Sequence, residues 1–594
     1  MKNIYFKVLF SIFIFVFAVN SKAQNSDSLF IVDAKYDSLL RSDGEGMTNL
    51  FYKHNNDVLI NNLGPYGSPF YYPTTFSLYK KLLIESCDVF NTKIYNLSGF
   101  KPYTNVSFIN ASRKEQQFSI RHVQEFGKFL FFDFDFKRFS SPGEYLNQES
   151  NNTMFNGNLE YYSKKRNYEI KFSNGVYRNF YEENGGLVAP KNYEISLFDE
   201  KQNYAVTLPS SNSFMKRFDY KLQQKLDLFQ FYSDSLNKKK IYLKHQISYS
   251  TKQKVFYDND PLSKIYNDIF IDSISTIDSI YTNSFSNSGF LGFGNEKYFI
   301  ELFGQYDQNE YVQSFGVSTV YYNTYSGISS TFKNSFFKVV FMSKVCFDGY
   351  AKGDIESDFL ISYNKDKYSI KGGVRYFLNE ADLKHVYYNS NHFSWENTSF
   401  EKQSIFDLEI NFELKKLQLE FNAETKFLTN TLYFDSMAIA SQNNNSASIS
   451  SFSLAKNYKF LSFHFRTFFI YQISSDDLLF PLPEIIGRQS LYYQKYIFKG
   501  ALKFQIGFGL SYSTSYFGYA YMPAINEYYV QNKTELGYYP KLDIFINTHL
   551  KRAQIFLKYE HINSGGSLAK SFVAPGYPSM ERSLKFGVSW NMFD

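Results

Sequence analysis

The sequence predicts an all-β protein, a transmembrane antiparallel up-and-down β-barrel with an even strand number of about 16 to 22. Phe, Tyr and Trp make up 20% of the 594 residues, more aromatic surface than a water-soluble protein tolerates. Mean hydropathy is −0.35, and after residue 23 no apolar run is long enough for a membrane-spanning helix. Apolar and polar residues instead alternate with period two, the pattern of strands with one face on lipid.

Residues 1–23 have the parts of a cleaved signal peptide. Lys2 and Lys7 precede an apolar core from Val8 to Val19, and Ser21-Lys22-Ala23 is a small-x-small cleavage site. Export followed by barrel formation predicts a location in the cell outer membrane. Loss of these residues removes three lysines and no acids, which lowers the formal charge from +6 to +3. So small a charge argues against a nucleic-acid partner.

Residues 24–100 do not fit the strand pattern. They are predicted to form a periplasmic N-terminal arm or a small insert into the lumen. They include NNLGPYGSPFYYP at 61–73, with three prolines and two glycines. This segment is shorter than the plug domain of a TonB-dependent transporter, which weighs against energy-coupled uptake. The transmembrane β-barrel is then assigned to residues 101–594. Pairing of the two cysteines, Cys87 and Cys346, is left open.

Alternation assigns one face of several strands to lipid and the other to the lumen. In FDLEINFEL, 406–414, apolar residues occupy the even positions and polar residues the odd positions. In FLFFDFDFKRF, 129–139, aspartates sit between phenylalanines, and facing a wet lumen they would need no buried partner. The lipid-facing candidates are Phe132, Phe134, Phe136, Phe406, Leu408, Ile410, Phe412 and Leu414. The lumen-lining candidates are Asp133, Asp135, Lys137, Glu169, Lys171, Arg466, Asp543, Lys558 and Glu560.

Connection lengths favour a membrane barrel over a soluble sandwich, because short turns alternate with long loops. The predicted short turns lie at 164–166, 295–296, 365–366, 415–416, 457–458 and 551–552. The predicted long segments are 179–212, 252–288, 380–402, 430–447, 474–489 and 518–539. We expect the short turns to be periplasmic and the long loops extracellular. Counting hairpins in this way gives about 22 strands.

The C-terminal sequence resembles a known family. It reads YYVQNKTELGYYPKLDIFINTHLKRAQIFLKYEHINSGG and then PGYPSMERSLKFGVSWNMF, and further matches are NLGPYGSP at 62–69, YEENGG at 181–186 and the run at 140–170. These segments resemble the "putative porin" family of Bacteroidota outer membranes. The resemblance implies an outer-membrane barrel described as a porin, without catalytic residues.

The last strand carries a predicted assembly signal. Lys585, Gly587, Trp590 and Met592 follow the order polar, glycine and two apolar residues on one face. This spacing resembles the signal that the outer-membrane assembly machinery reads during biogenesis. We therefore expect that machinery as a partner, together with the lipid bilayer and lipopolysaccharide around the folded barrel.

The sequence contains no recognisable catalytic motif and no set of metal ligands, so we predict no enzyme activity, no metal and no cofactor. Five aspartates at 257–279 leave a calcium-stabilised loop and a solvated acidic loop as alternatives. The function predicted first is passive diffusion of small hydrophilic solutes through a water-filled porin. The alternative is a non-conducting barrel subunit of an outer-membrane secretion, assembly or uptake complex, and an oligomer is also possible.

Overall fold

The computed structural model describes residues 102–188, 201–232, 238–262, 265–295, 297–564, 572–579 and 581–593. The predicted signal peptide at 1–23, the predicted arm at 24–100 and Cys87 lie outside the described residues. Helix in the described part of the chain is limited to α1 (Leu383–Val386) and the 3-10 turns at Ser112–Lys114, Lys201–Asn203 and Lys415–Leu417. None of the described helices is long and apolar enough to cross a membrane.

Twenty-two antiparallel strands form one closed sheet, which confirms the predicted barrel and its even strand number. Each strand pairs with the next wall strand along the chain, and the first pairs with the last, Val106 lying opposite Trp590. The wall strands are β1 (Tyr103–Ala111), β2 (Gln116–Phe126), β3 (Leu130–Ser141), β4 (Ser150–Tyr162), β5 (Tyr168–Glu182), β6 (Ser211–Tyr232), β7 (Lys238–Asp258), β8 (Thr276–Gly294), β9 (Tyr298–Gln313), β10 (Ser318–Lys333), β11 (Phe337–Gly349), β12 (Ile355–Asn364), β13 (Tyr368–Asn379), β16 (Gln403–Leu414), β17 (Leu419–Thr429), β20 (Ala447–Phe460), β21 (Phe463–Ser474), β22 (Ile485–Ile497), β23 (Leu502–Ser513), β28 (Lys541–Leu550), β29 (Ala553–Glu560) and β32 (Ser583–Phe593).

The remaining ten strands form five short hairpin-like pairs, all within loops at one end of the barrel. They are β14 (Tyr387–Asn389) with β15 (Ser394–Glu396), β18 (Thr431–Phe434) with β19 (Ala440–Asn443), β24 (Tyr516–Phe517) with β27 (Glu535–Leu536), β25 (Ala520–Met522) with β26 (Glu527–Tyr529), and β30 (Phe572–Ala574) with β31 (Tyr577–Pro578). We call this end the loop rim. The opposite end, where β1 begins and β32 ends, is the turn rim.

Two predicted connections are wrong in position. The turn expected at 457–458 lies at 461–462, between β20 and β21. The long segment expected at 252–288 is mostly strand, because β7 continues to Asp258 and β8 begins at Thr276. These strands have 21 and 19 residues, about twice the 9 to 11 that a bilayer requires. Beyond the bilayer neither face must be apolar, so the alternation that marks a strand disappears there.

Inward-facing aromatic rings lie over glycines of the neighbouring strand. Phe556 on β29 pairs in register with Gly587 on β32, and a Cβ atom at Gly587 would come within 2.1 Å of the Phe556 ring. The same relationship joins Tyr242 to Gly292 and Phe303 to Gly327. Aromatic rings over strand glycines stabilise the pairing because the ring covers exposed backbone. This explains why Phe556 stands on an otherwise polar face.

Candidate functional site

The loops of the loop rim pack against one another over the barrel mouth and form what we call the loop cap. Two buried apolar clusters hold it together. One joins Phe256 on β7 to residues of the loops after β13, β17 and β23, including Trp395, Phe434 and Met522. Strands β7 and β23 stand on nearly opposite sides of the barrel, so this cluster spans the mouth.

Polar contacts between distant loops add to the apolar clusters. Lys384 Nζ, after β13, lies 2.8 Å from Glu527 Oε1 in the loop after β23. The amide of Val530 donates to the carbonyl of Phe434 at 3.0 Å, and the amide of Leu187 donates to the carbonyl of Gly576 at 2.8 Å. Each contact joins loops that follow different wall strands. Opening the mouth therefore requires several loops to separate together.

A polar cavity lies between the inner wall and the loop cap, and we call it the mouth cavity. Its volume is about 290 Å³. Strand β10, the loop after β11, the loop after β13 and the loops after β17 and β23 all contribute to its lining. The polar lining residues are Tyr321, Asn323, Tyr325, Tyr350, Asp354, Asn379, Glu380, Asp382, Lys384, His385, Gln403, Tyr433, Tyr519, Glu527 and Tyr528.

Three of the four carboxylates in the mouth cavity have lysine partners. Lys402 Nζ lies 2.5 Å from Asp354 Oδ1 and 3.0 Å from Glu380 Oε2, and Glu527 is paired with Lys384. The fourth carboxylate, that of Asp382, forms no ion pair among the described residues. It reaches water in the cavity, but the surrounding protein raises the pKa of its carboxyl above the usual value.

His385 follows Asp382 by one helical turn of α1, and its ring is buried against Phe434 at a centroid distance of 5.4 Å. Burial holds the pKa of its imidazole well below the usual range, with the nearby charge of Lys384 as a second cause. The ring is therefore neutral at physiological pH.

On β3 the side chains of Asp133 and Asp135, two of the predicted lumen residues, lie on one face of the strand. Those of Phe132, Phe134 and Phe136 lie on the opposite face. Asp133 is 1% exposed; its Oδ1 accepts from Arg121 Nε at 3.0 Å and its Oδ2 from Asn158 Nδ2 at 3.2 Å. The expectation that it needs no buried partner is wrong, because the strands on either side place partners inside the barrel. Asp135 contacts Lys137 at 2.9 Å.

The other predicted lumen residues also have polar partners. Lys171 Nζ lies 2.7 Å from Glu169 and 2.8 Å from Glu160. Lys558 lies 3.0 Å from both Asp543 and Glu560. Arg466 donates to Asn457 at 3.1 Å. Ion pairs therefore cross-link neighbouring strands around the inner wall, and whether any of these residues lines a solute path stays a prediction.

Among the predicted lipid-facing residues, Phe406, Leu408 and Ile410 have exposed side chains, while Phe412 and Leu414 are half-buried. In the predicted assembly signal, Trp590 is 53% exposed and Met592 is also exposed. Lys585 instead points inward and contacts Glu115 and Glu560 at 3.1 Å. Lipid contact and the assembly role both stay predictions.

The acidic loop after β7 uses its aspartates within the loop cap. Asp258 accepts from Tyr266 at 3.1 Å, and Asp278 accepts from the amide of Asn391 at 3.0 Å. Among the described residues no group of three or more His, Cys, Asp and Glu side chains is arranged to hold a metal ion. Cys346 is a buried free thiol.

Sequence reasoning missed the mouth cavity. Its residues come from several separate segments, and no local pattern marks them. The segment 380–402 carried the clearest signal, because it holds one of the two tryptophans, two of the eight histidines and several charges. Such residues in a long loop favour function over simple connection.

A family model described as "putative porin" matches residues 61–594. No curated protein matches the sequence. Among solved structures, the copper transporter OprC is similar at 9% identity and a TM-score of 0.58, over 84% of this chain and 81% of that chain.

Two siderophore-related structures are similar to the same degree. The siderophore receptor PirA from Acinetobacter baumannii has 11% identity and a TM-score of 0.56, over 84% of this chain and 81% of that chain. A mutant of the ferric enterobactin receptor PfeA from Pseudomonas aeruginosa has 9% identity and a TM-score of 0.55, with the same coverage. These likenesses show the fold of an outer-membrane barrel.

The prediction of a passive diffusion porin is wrong. The similar solved barrels named above are receptors and a transporter, not passive porins. The loop cap is consistent with this correction, because loops that pack over the mouth obstruct free diffusion. The argument against energy-coupled uptake from the shortness of residues 24–100 stays a prediction, because these residues lie outside the described part of the chain.

Proposed function

The chain belongs to the family described as "putative porin", and on this premise we propose that it is a barrel subunit of an outer-membrane uptake complex that does not conduct by itself. The observation that carries the proposal is the loop cap. Loops from nearly opposite sides of the wall share buried apolar clusters, so the mouth stays covered until the loops move.

Uptake is favoured over secretion or assembly by what the similar structures are named for. They include a siderophore receptor and a copper transporter. A receptor-like role also fits a polar cavity of about 290 Å³ that lies at the barrel mouth, between the inner wall and the loop cap. The proposal assigns recognition to the loop rim and passage to the barrel interior after the cap opens.

The bilayer and lipopolysaccharide are proposed to surround the exposed apolar belt, and the assembly machinery is proposed to read the last strand. Exposed Phe406, Ile410 and Leu557 belong to that belt. Trp590 and Met592 present exposed side chains on β32 near the turn rim, which supports their availability to a partner before the barrel closes.

Planar-bilayer conductance of the full chain tests the proposal. Heat-modifiable migration on SDS gels first establishes that the purified barrel is folded. We expect no stepwise channels from the folded wild-type barrel, and we expect it to co-purify with other envelope proteins from mild detergent. Frequent stepwise openings by the isolated wild-type barrel contradict the proposal.

A loop variant sharpens the conductance experiment. Replacing residues 519–531 by a Gly-Ser linker removes Tyr521, Glu527 and Val530 from the cap, and we expect more frequent openings. The matched control replaces the exposed turn at 444–446, which takes no part in the two clusters. Similar conductance of both variants would argue against the cap as the barrier.

A further inference from the structure

The mouth cavity contains two buried polar side chains with unsatisfied atoms. His385 is 7% exposed and Gln403 is 9% exposed. His385 Nδ1 and Gln403 Nε2 have no hydrogen-bond partner among the described residues. Leaving such a group buried and unpaired costs about 1–3 kcal/mol. Both residues line the mouth cavity, so a ligand with hydrogen-bonding groups can pair with these shielded atoms once the two side chains turn toward it.

The charge of the cavity points to the sign of that ligand. Four carboxylates, on Asp354, Glu380, Asp382 and Glu527, face two lysine ammonium groups. Since the imidazole of His385 is neutral, the cavity has an excess of negative charge. Asp382 forms no ion pair among the described residues and lines the cavity with an exposed side chain, and the charges of Lys384 and Lys252 act on it only at longer range. A cationic group can bind there without displacing an existing ion pair.

The remaining lining is aromatic. Six tyrosines face the cavity: Tyr321, Tyr325, Tyr350, Tyr433, Tyr519 and Tyr528. Aromatic faces attract an ammonium group, and a carboxylate beside them strengthens the attraction. The volume, about 290 Å³, is at the lower end of small-molecule pockets, so the ligand is small or inserts only one end.

We propose that the mouth cavity binds the amino-terminal end of a short peptide, with its ammonium group at Asp382. A peptide group supplies an N–H and a C=O, which can satisfy His385 and Gln403 together. A polyamine offers donors alone, and a neutral sugar makes no use of the excess negative charge. The inference rests on the proposed uptake function and names the substrate class of that site.

Calorimetric titration of the full-length barrel in detergent tests this assignment. The probes are L-alanyl-L-alanine and its N-acetylated form, which lacks the positive charge. We expect the free dipeptide to bind and N-acetylation to weaken binding by about tenfold or more, as for loss of one close charge pair. Asp382→Asn should weaken binding of the free dipeptide similarly, because it removes the carboxylate and keeps the shape.

Asp260→Asn is the matched control, since Asp260 is exposed in the loop after β7 and does not line the cavity. This variant should bind like wild type. The Asp382 side chain makes no capping hydrogen bond to α1, so its replacement should leave the fold intact, as heat-modifiable migration can verify. Comparing the binding of the two dipeptides to the wild-type barrel tests the need for a positive charge without any substitution that could disturb the fold.

Equal binding of the free and N-acetylated dipeptides overturns the assignment, and so does unchanged binding by Asp382→Asn. Absence of dipeptide binding by a folded barrel also overturns it, and binding of maltotriose in that case assigns the cavity to sugars. Those outcomes leave the uptake proposal standing if the wild-type barrel is silent in planar bilayers. Frequent channel openings overturn the uptake proposal whatever the cavity binds.

Discussion

The hydroxyl of Tyr521 donates a hydrogen bond of 3.2 Å to Oε1 of Glu183, joining residues 338 positions apart. Glu183 follows β5 and Tyr521 lies on β25, so the bond joins two loops of the cap. The ring of Tyr577, from the loop after β29, lies 6.3 Å from the ring of Tyr521. Three loops therefore meet at one buried polar contact.

The stability of the loop cap should depend on the protonation of Glu183. The side chain is 1% exposed, and burial raises the pKa of its carboxyl to about 8, whereas an unfolded glutamate has a pKa of about 4.3. The native cap therefore binds a proton that the open state releases. The protonated Glu183 therefore stabilises the cap. This stabilisation is fully present below the pKa of glutamate in the unfolded chain and is lost as pH rises through about 8.

Hydrogen exchange of residues 519–531 in wild type and in Glu183→Gln, compared at equal pH, checks this prediction. Glutamine stays uncharged, so protection in wild type should fall relative to the variant between about pH 5 and pH 8. If both proteins lose protection equally over that range, another group controls the opening of the cap.

Two aspartates on the same face of β3 should differ in importance. Asp133 is buried against Arg121 and Asn158, whereas Asp135 is partly open to water beside Lys137. Asp133→Asn should lower the free energy of unfolding by about 3 kcal/mol, because a buried charge loses its partner. Asp135→Asn, the matched change, should cost less than about 1 kcal/mol. Urea unfolding of the refolded barrel measures both, and equal costs would show that both carboxylates are similarly solvated.

Gly587 should tolerate no side chain while Phe556 stays in place. A Cβ atom there meets the Phe556 ring within 2.1 Å, so Gly587→Ala should destabilise the barrel by about 1–3 kcal/mol. Gly487→Ala serves as the control, because nothing lies within 4 Å of a Cβ atom at Gly487. The double variant with Phe556→Leu should recover part of the loss. The close approach is unimportant if both single variants unfold at the same urea concentration.

The outward assignment of Phe134 also has a direct test. Phe134→Arg should cost about 2–4 kcal/mol if the side chain meets lipid at mid-bilayer depth. Asp135→Arg places the same side chain on the opposite face, where the wall already carries charges, and should fold with a smaller loss. Yields of heat-modifiable barrel after refolding into lipid vesicles compare the two. Equal yields would contradict the assignment of faces.

Much of the wall could be predicted because its determinants are local. In 406–414 the alternation of apolar and polar residues predicts which face of the strand each side chain occupies. Strand β16 (Gln403–Leu414) includes that whole segment. Turns such as 415–416 carry polar residues between two alternating runs. The prediction failed at 457–458 and 252–288, where alternation is weak because the strands leave the region in which one face must be apolar.

The sequence by itself determined the barrel, its even strand number and which residues of each strand share a face, since period two is a property of adjacent residues. Only the tertiary structure decided that Asp133 meets Arg121, that Glu183 meets Tyr521, and that Asp382, His385 and Gln403 line one cavity. Those contacts depend on strand register and on loops that meet across the mouth from distant parts of the chain. Local sequence patterns do not predict these contacts, because loop residues do not follow the alternation that the bilayer and the lumen impose on the wall strands.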